Sequence, residues 1–172
     1  VKENAYDVAL LDLRMPGMDG LELYRRIRQI SAETVAIVVT AYASSDTAKS
    51  VLATGAWKIV PKPVNIGNLL NFVAQALDAP LVLVVDDDQE LCENLWEIFH
   101  ERGYRVCLAH DLPEAEKKLG EHKFHVVLID MKLPTGSGHE LLSTLRRIDK
   151  EARAVLITGY AGEMETKVKH AL

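Results

Sequence analysis

The stretch "YDVALLDLRMPGMDGLEL", residues 6–23, places an apolar run directly before the carboxylate of Asp12 and a Met-Pro-Gly turn. A second stretch, "FHVVLIDMKLPTGSGHELL" (124–142), does the same with Asp130. Both runs are rich in Val, Ile and Leu and do not alternate with polar residues, which is typical of strands covered on both faces of a parallel sheet. A charge at the end of such a strand points to a functional edge of the sheet.

Five further apolar runs have the same character, and segments with helical periodicity separate them. The runs are residues 35–43, 57–63, 81–88, 104–110 and 154–161. Strands that alternate strictly with helices predict right-handed crossovers and an α/β fold with an open, doubly wound parallel sheet. The carboxyl ends of the strands then meet at one edge, where such sheets carry their function.

Two of the helical segments have clear apolar stripes. "DGLELYRRIRQI" (19–30) places four apolar residues on one face: Leu21, Tyr24, Ile27 and Ile30. "DQELCENLWEIFHERG" (88–103) places another four together, Leu91, Leu95, Ile98 and Phe99. This second helix is predicted to end at Gly103, in the left-handed conformation that glycine adopts after a helix.

The chain also repeats itself. Residues 6–43 align without a gap with residues 124–161 at an offset of 118 residues, from Asp12 to Asp130. A repeat of this length is a domain and not a solenoid unit. We expect residues 1–78 to be the C-terminal part of a first domain and residues 79–172 the N-terminal part of a second.

An alternative assembly stays open at this point. Residues 1–118 hold every strand of one domain in circularly permuted order, so Asp12, Thr40 and Lys62 could join Asp86 and Asp87 in one site. The same combination could form within a single chain or across a domain-swapped homodimer. In the rival arrangement, Asp130 lies beside the acidic pair.

Composition restricts the function classes. Of 172 residues, 48% are hydrophobic and 26% are charged, which favours a folded core over disorder. The net charge of −5 disfavours a nucleic-acid surface, and no apolar run approaches the ~20 residues of a membrane span, so membrane contact is not expected. Without a basic-then-apolar leader, and with Cys92 and Cys107 in apolar contexts, we expect reduced core thiols and a cytoplasmic location.

Acidic residues are crowded at the predicted edge. Asp86, Asp87 and Asp88 follow one strand, and Asp12 or Asp130 ends another. Each like-charge pair at ~4 Å costs on the order of 4 kcal/mol at a surface-like dielectric, so these acids must bind protons or share a cation. An all-oxygen site with room for water and a phosphate suits Mg²⁺. We expect Asp88 mainly to cap the helix that follows.

With a cation in place, one aspartate can act as a nucleophile on phosphorus. Lys62 would offset charge on the phosphoryl oxygens together with the metal. Thr40 and Thr158, each at the end of an apolar strand, would supply a hydroxyl donor.

Taken together, "LVLVVDDD" (81–88), "LLDLRMPGMDG" (10–20), "VVTAYA" (38–43) and "VPKP" (60–63) resemble the receiver domain of two-component response regulators. The resemblance covers essentially the whole chain and implies the flavodoxin-like receiver topology. It also implies roles for individual residues. By this resemblance, Mg²⁺ would be held by Asp86 and Asp87, and the phosphorylated residues would be Asp12 and Asp130. The metal would also receive a backbone carbonyl from Arg14 or Lys132. The switch hydroxyls would be those of Thr40 and Thr158, and Lys62 would bind the phosphate.

The resemblance further implies that the phosphoryl donor is a phosphohistidine on a histidine kinase or histidine phosphotransfer domain. The parent would be a hybrid histidine kinase or a multi-receiver protein. Enzymatic activity would be limited to self-phosphorylation and autodephosphorylation of an aspartate. One alternative is a pseudo-receiver that serves only for docking or dimerisation. Another is an aspartate-nucleophile phosphatase, which is disfavoured because Arg14 and Lys132 stand where a second acid is expected.

Overall fold

A computed structural model describes residues 6–41 and 45–158 and contains two main sheets. The first is three-stranded, with the order β1-β2-β3 and parallel pairing throughout. Its strands are β1 (Val8–Asp12), β2 (Val35–Thr40) and β3 (Lys58–Pro61). The helices that follow them are α1 (Gly20–Ile30), α2 (Ser45–Leu52) and α3 (Ile66–Asp78).

The second sheet is four-stranded and has the order β5-β4-β6-β9. Its strands are β4 (Leu81–Val85), β5 (Arg105–Ala109), β6 (Val126–Asp130) and β9 (Arg153–Ile157). Its helices are α4 (Gln89–Glu101), α5 (Leu112–Glu121) and α6 (Gly138–Ile148), and a short antiparallel ribbon, β7 (Lys132–Leu133) with β8 (Gly136–Ser137), precedes α6. Counted from β4, this strand order is 2-1-3-4, which confirms the predicted doubly wound, flavodoxin-like fold.

The chain divides into two compact units. One comprises Val1–Val82 with Glu93–Cys107, and the other Leu83–Cys92 with Leu108–Leu172. Helix α4 therefore begins in the second unit and ends in the first. Among the described residues, no helix is both long and apolar enough to cross a membrane.

The internal repeat is visible in the backbone. β1 and α1 recur as β6 and α6 at the same offset of 118 residues. The register recurs as well, because Asp12 pairs with Val39 and Asp130 pairs with Ile157. In both repeats a glycine opens the helix against the Asp strand: a Cβ on Gly20 would lie 2.3 Å from the backbone oxygen of Asp12. The corresponding distance from Gly138 to Asp130 is 2.5 Å.

The predicted stripes are correct in part. Tyr24 and Ile27 are buried, but Ile30, the last residue of α1, is 49% exposed. Helix α4 fully buries Cys92 and Trp96, leaves Leu91, Leu95 and Phe99 half-buried, and exposes Ile98. The buried face of α4 is therefore centred about one position after the predicted stripe. Gly103 has a φ of +81°, as predicted for the residue that ends this helix.

Three rings and one guanidinium pack together beside α4, and we call this group the aromatic stack. Its members are Arg28, Trp57, Trp96 and His100. The Trp96 and His100 rings are parallel, with centroids 4.6 Å apart. Trp57 meets His100 edge-on at 5.8 Å, and the Arg28 guanidinium lies 3.6 Å from the Trp96 ring centre. Burial in this stack lowers the pKa of His100 to about 4, and the Arg28 charge adds to the effect, against a hydrogen bond with the Gly55 backbone that favours the protonated form.

We expect Gly20→Ala to destabilise the first unit by about 1–3 kcal/mol, because the new methyl group would overlap the Asp12 backbone, which cannot move without disturbing β1. Urea denaturation measures the change. Gly120→Ala is the matched control, since a Cβ at Gly120 in α5 meets nothing within 4 Å. The control should be neutral or more stable by up to about 1 kcal/mol. Equal losses in the two variants would contradict the clash.

We expect stability to fall as the pH drops from 6.5 towards 4. In this window the unfolded chain protonates His100 at its ordinary pKa of 6.5, while the folded chain keeps it neutral down to about 4. The loss is on the order of 1–3 kcal/mol for this half-buried ring. Denaturation midpoints of the wild type and His100→Phe, measured between pH 4 and 8, should converge at low pH. Parallel curves would refute the role of His100.

Candidate functional site

The acids of the second sheet meet where its strand order reverses. β4 and β6 are neighbours, and Asp86 and Asp87 follow β4 while Asp130 ends β6. Carboxylate oxygens of these three residues all lie within 4.8 Å of one another. A crevice outside the carboxyl ends of strands at such a reversal is the usual ligand site of this architecture.

The turn that carries the acidic pair is tied closely to α4. The Asp88 backbone N–H donates to Asp86 Oδ1 at 2.9 Å. Asp88 Oδ1 accepts from the N–H groups of Glu90 and Leu91 at 2.9 and 3.1 Å, so Asp88 caps the helix as predicted. The Cys92 thiol donates to the Asp86 carbonyl at 3.3 Å. The acids and the first turn of α4 therefore form one connected piece.

Electrostatics at this cluster favour a cation. Asp86 is buried, with 5% of its surface exposed. Burial raises the pKa of Asp86, and the negative charges of Asp130, Asp87 and Asp88 raise it further, against one hydrogen bond from the Asp88 N–H. A buried carboxylate with like-charged neighbours is stabilised either by a proton or by a positive ion.

The donor set fits a hard divalent cation. Three carboxylates offer oxygen ligands within one coordination sphere. Asp87 is exposed and Asp130 half-exposed, which leaves room for water or a phosphate oxygen. Oxygen ligands with open positions are what Mg²⁺ binds in proteins.

The first sheet builds a different site at the ends of its strands. Lys62 Nζ donates to Asp12 Oδ2 at 2.5 Å, and the Arg14 N–H donates to Asp12 Oδ1 at 3.1 Å. Both hydrogen bonds lower the pKa of Asp12, with Lys62 the larger cause. Thr40 is buried at the end of β2, and its carbonyl accepts from the Lys62 N–H at 2.9 Å. Asp12, Thr40 and Lys62 thus come together as expected.

The strand order corrects the permuted alternative. That alternative required the Asp12 strand beside the strand of Asp86 within one chain. The place beside β4 is occupied by β6, while β1 pairs with β2 in the other sheet. The reason is local: α5 joins β5 to β6, and this crossover sets β6 next to β4. Among the described residues, the carboxylates grouped with Asp86 are those of Asp87 and Asp130.

The remaining predicted residues of the second copy repeat the spacing of the first. Lys132 lies two residues after Asp130, as Arg14 lies two after Asp12. Thr158 directly follows Ile157, the register partner of Asp130, as Thr40 follows Val39. Residues beyond Thr158 lie outside the described part of the chain.

A model of the response regulator receiver domain matches residues 1–74 and, separately, residues 82–172. The chain belongs to the response regulator receiver domain family. The two matched segments together span nearly the whole sequence.

A response regulator receiver protein from Anaeromyxobacter sp. (strain Fw109-5) is 32% identical over 158 residues, which cover 92% of this chain. The chain spans 66% of that relative's length, just under two thirds.

Two solved structures are similar in fold. A CheY-like receiver domain protein from Methanospirillum hungatei JF-1 is 30% identical with a TM-score of 0.52, covering 55% of this chain and 76% of that one. The response regulator TrrA from Thermotoga maritima, solved in complex with Mg²⁺–BeF, is 32% identical with a TM-score of 0.50, covering 54% and 80%.

Sequence reasoning missed the aromatic stack. Arg28 stands close to Arg25 and Arg26 in the sequence, a pattern typical of a solvated helix face, but only 23% of its side chain is exposed. A stripe of Cys92, Trp96 and His100 at helical spacing could have marked the buried face of α4. Nothing in the sequence links that stripe to Arg28, which lies 68 residues before Trp96.

We expect Lys62→Met to raise the pKa of Asp12 towards its ordinary 3.8, because the variant removes both the hydrogen bond and the charge that lower it. Carboxyl-carbon NMR titration measures the change directly. Lys58→Met, on the exposed start of β3, is the matched control and should leave the Asp12 titration unchanged. An unshifted Asp12 in Lys62→Met would show that the ion pair does not form in solution.

Proposed function

We propose that this chain is a phosphoacceptor module of a two-component phosphorelay, with Asp130 as its main acceptor and Mg²⁺ as its cofactor. The observation that carries the proposal is the approach of Asp86, Asp87 and Asp130 to within 4.8 Å at the strand-order reversal. An acceptor aspartate needs positive charge beside it when a phosphoryl group arrives, and the three carboxylates of this cluster can bind a cation that supplies that charge.

In this proposal each residue has a distinct task. Asp86 and Asp87 would hold the cation, and the Lys132 carbonyl would be a further oxygen ligand. An Asp130 oxygen attacks phosphorus, a P–O bond forms, and the P–N bond to the donor imidazole breaks. The imidazole leaves with the electron pair of that bond. Bound Mg²⁺ would supply charge neutralisation at the phosphoryl oxygens. The Thr158 hydroxyl follows β9 and is the candidate donor to one of those oxygens.

In the first copy a lysine side chain supplies the positive charge beside the aspartate. Lys62 pairs with Asp12, and Thr40 lies at the end of the adjacent strand. These positions suit Asp12 as a second acceptor, with Lys62 moving to a phosphoryl oxygen. Among the described residues, the carboxylates grouped around Asp86 do not include Asp12. This observation favours a docking role, that of a pseudo-receiver, as the second candidate for the first copy.

The proposed donor is a phosphohistidine on a histidine kinase or histidine phosphotransfer domain, and the proposed parent is a hybrid kinase or multi-receiver protein. A domain-swapped homodimer is a further candidate assembly. Cys92 and Cys107 are both buried and are not joined in a disulfide, in keeping with a reducing cytoplasm.

Acetyl phosphate with Mg²⁺ tests the proposal, with intact-protein mass spectrometry as the measurement. We expect a phosphoryl adduct that falls by about tenfold or more in Asp130→Asn, since the amide cannot attack phosphorus. Omitting Mg²⁺ should have a similar effect. Asp78→Asn, an exposed acid at the end of α3, is the matched control and should keep the adduct. Asp12→Asn separately measures the share of the first copy.

An adduct that survives in Asp130→Asn but disappears in Asp12→Asn would assign the chemistry to the first copy. Absence of an adduct from the wild type with acetyl phosphate, together with no binding of beryllofluoride, would favour the docking module over a phosphoacceptor.

A further inference from the structure

The first sheet has an open edge along β1. In the order β1-β2-β3, β1 pairs with β2 on one side, and no strand of the described residues lies along its other side. The Leu13 N–H donates to the Val39 carbonyl, so the backbone groups of odd-numbered residues face β2. Because these groups alternate in direction along a parallel strand, those of Val8 and Leu10 point to the open edge.

The second copy shows what this edge does when a neighbour is present. Leu128 of β6 is the repeat equivalent of Leu10, at the offset of 118 residues. It is 8% exposed, because β6 has β4 on one side and β9 on the other, whereas Leu10 is 52% exposed. The two strands are equally apolar, so the exposure of Leu10 reflects a missing neighbour. An edge strand of this kind is a template for pairing with another strand.

The other edges of the two main sheets are protected against such pairing. β3 begins with the exposed Lys58, and β9 begins with the exposed Arg153. Basic residues at an edge oppose the approach of a further strand. β5 is buried along most of its length. In the described part of the chain, β1 is thus the exposed edge strand that carries no charge before its last residue, Asp12.

Helix α3 adds an apolar flank without charge. Ile66, Leu70 and Leu77 are 62%, 62% and 51% exposed, and their spacing of four and seven residues places them on one flank of the helix. No charged side chain occurs in α3 before its last residue, Asp78. Depletion of charge together with exposed apolar side chains is typical of the centre of a protein interface.

The apolar flank and the open edge belong to the same face of the same sheet. Leu11 and Ala9 pack in the cluster that contains Tyr24 of α1. Since side chains alternate along a strand, Leu10 projects to the opposite face. Helix α3 contacts β1 and β2 and contributes no residue to that cluster, which places it on the face of Leu10. All of these residues lie in the first unit.

We propose that this surface, which comprises Val8, Leu10, Ile66, Leu70 and Leu77, joins two copies of the chain. The two β1 strands pair antiparallel about a two-fold axis centred near Leu10, and the two α3 helices lie side by side on one face of the continuous sheet. No segment leaves its own chain, so this dimer differs from a domain-swapped one.

Charge favours a second copy as the occupant. A two-fold contact sets a surface against itself, so any net charge on that surface would repel its own copy. The chain carries a net charge of −5, but the proposed surface has no charged side chain. A partner that binds through its charges would find no counter-charge there.

Sedimentation equilibrium of the full chain tests the proposal. We expect a monomer–dimer equilibrium in the wild type. Leu10→Lys and Leu70→Lys should each raise the dimer dissociation constant by about tenfold or more, because the pairing would bury an unpaired ammonium group. Ile148→Lys is the matched control: Ile148 is 51% exposed on α6 in the second unit, and the substitution changes the net charge equally. The control should keep the wild-type dissociation constant.

Hydrogen exchange gives a second, local measurement on the wild type. The backbone amide of Leu10 should gain protection as the protein concentration rises, because it forms a hydrogen bond only in the dimer. A wild type that stays monomeric at its highest soluble concentration would overturn the proposal. So would a dimer that persists in both leucine variants, as a domain-swapped dimer would, or one that Ile148→Lys dissociates. The proposed phosphoacceptor function does not depend on these outcomes.

Discussion

The candidate site of the second copy is shaped by the crowding of carboxylates at the end of a parallel sheet. Three acids from two neighbouring strands lie within 4.8 Å, and one of them, Asp86, is buried. Such a cluster is unfavourable alone, and it becomes favourable when positive charge is shared among its members. The turn at Asp86–Asp88, the cap of α4 and the position of β6 beside β4 all serve to keep this cluster together.

Both copies place a carboxylate at the end of a strand, but its negative charge is balanced differently in each. Lys62, the residue after β3, pairs with Asp12 and lowers its pKa. In the second copy a carboxylate, Asp86, has its pKa raised by burial and by acidic neighbours. The strand register at Asp12 and Asp130 and the glycine that opens the next helix recur in both copies. What differs is the source of positive charge that each site calls for.

Helix α4 connects two kinds of structure. Its first turn is part of an acidic site, and its middle is packed by an arginine, a glycine and two rings from the first unit and from α4 itself. The two sets of contacts lie on different stretches of the same helix, the first turn and the turns around Trp96.

Strand periodicity and the 118-residue repeat were enough to determine the α/β fold, because both depend on local chemistry. The family followed from the resemblance of whole motifs, and the rule that parallel strands end at one edge made the strand-ending acids candidate site residues. The sequence did not decide which aspartate joins Asp86. Asp12 and Asp130 have the same local signals, and only the pairing of β4 with β6 separates them. The aromatic stack likewise depended on tertiary structure, since Arg28, Trp57 and Trp96 meet across long chain separations that no local pattern records.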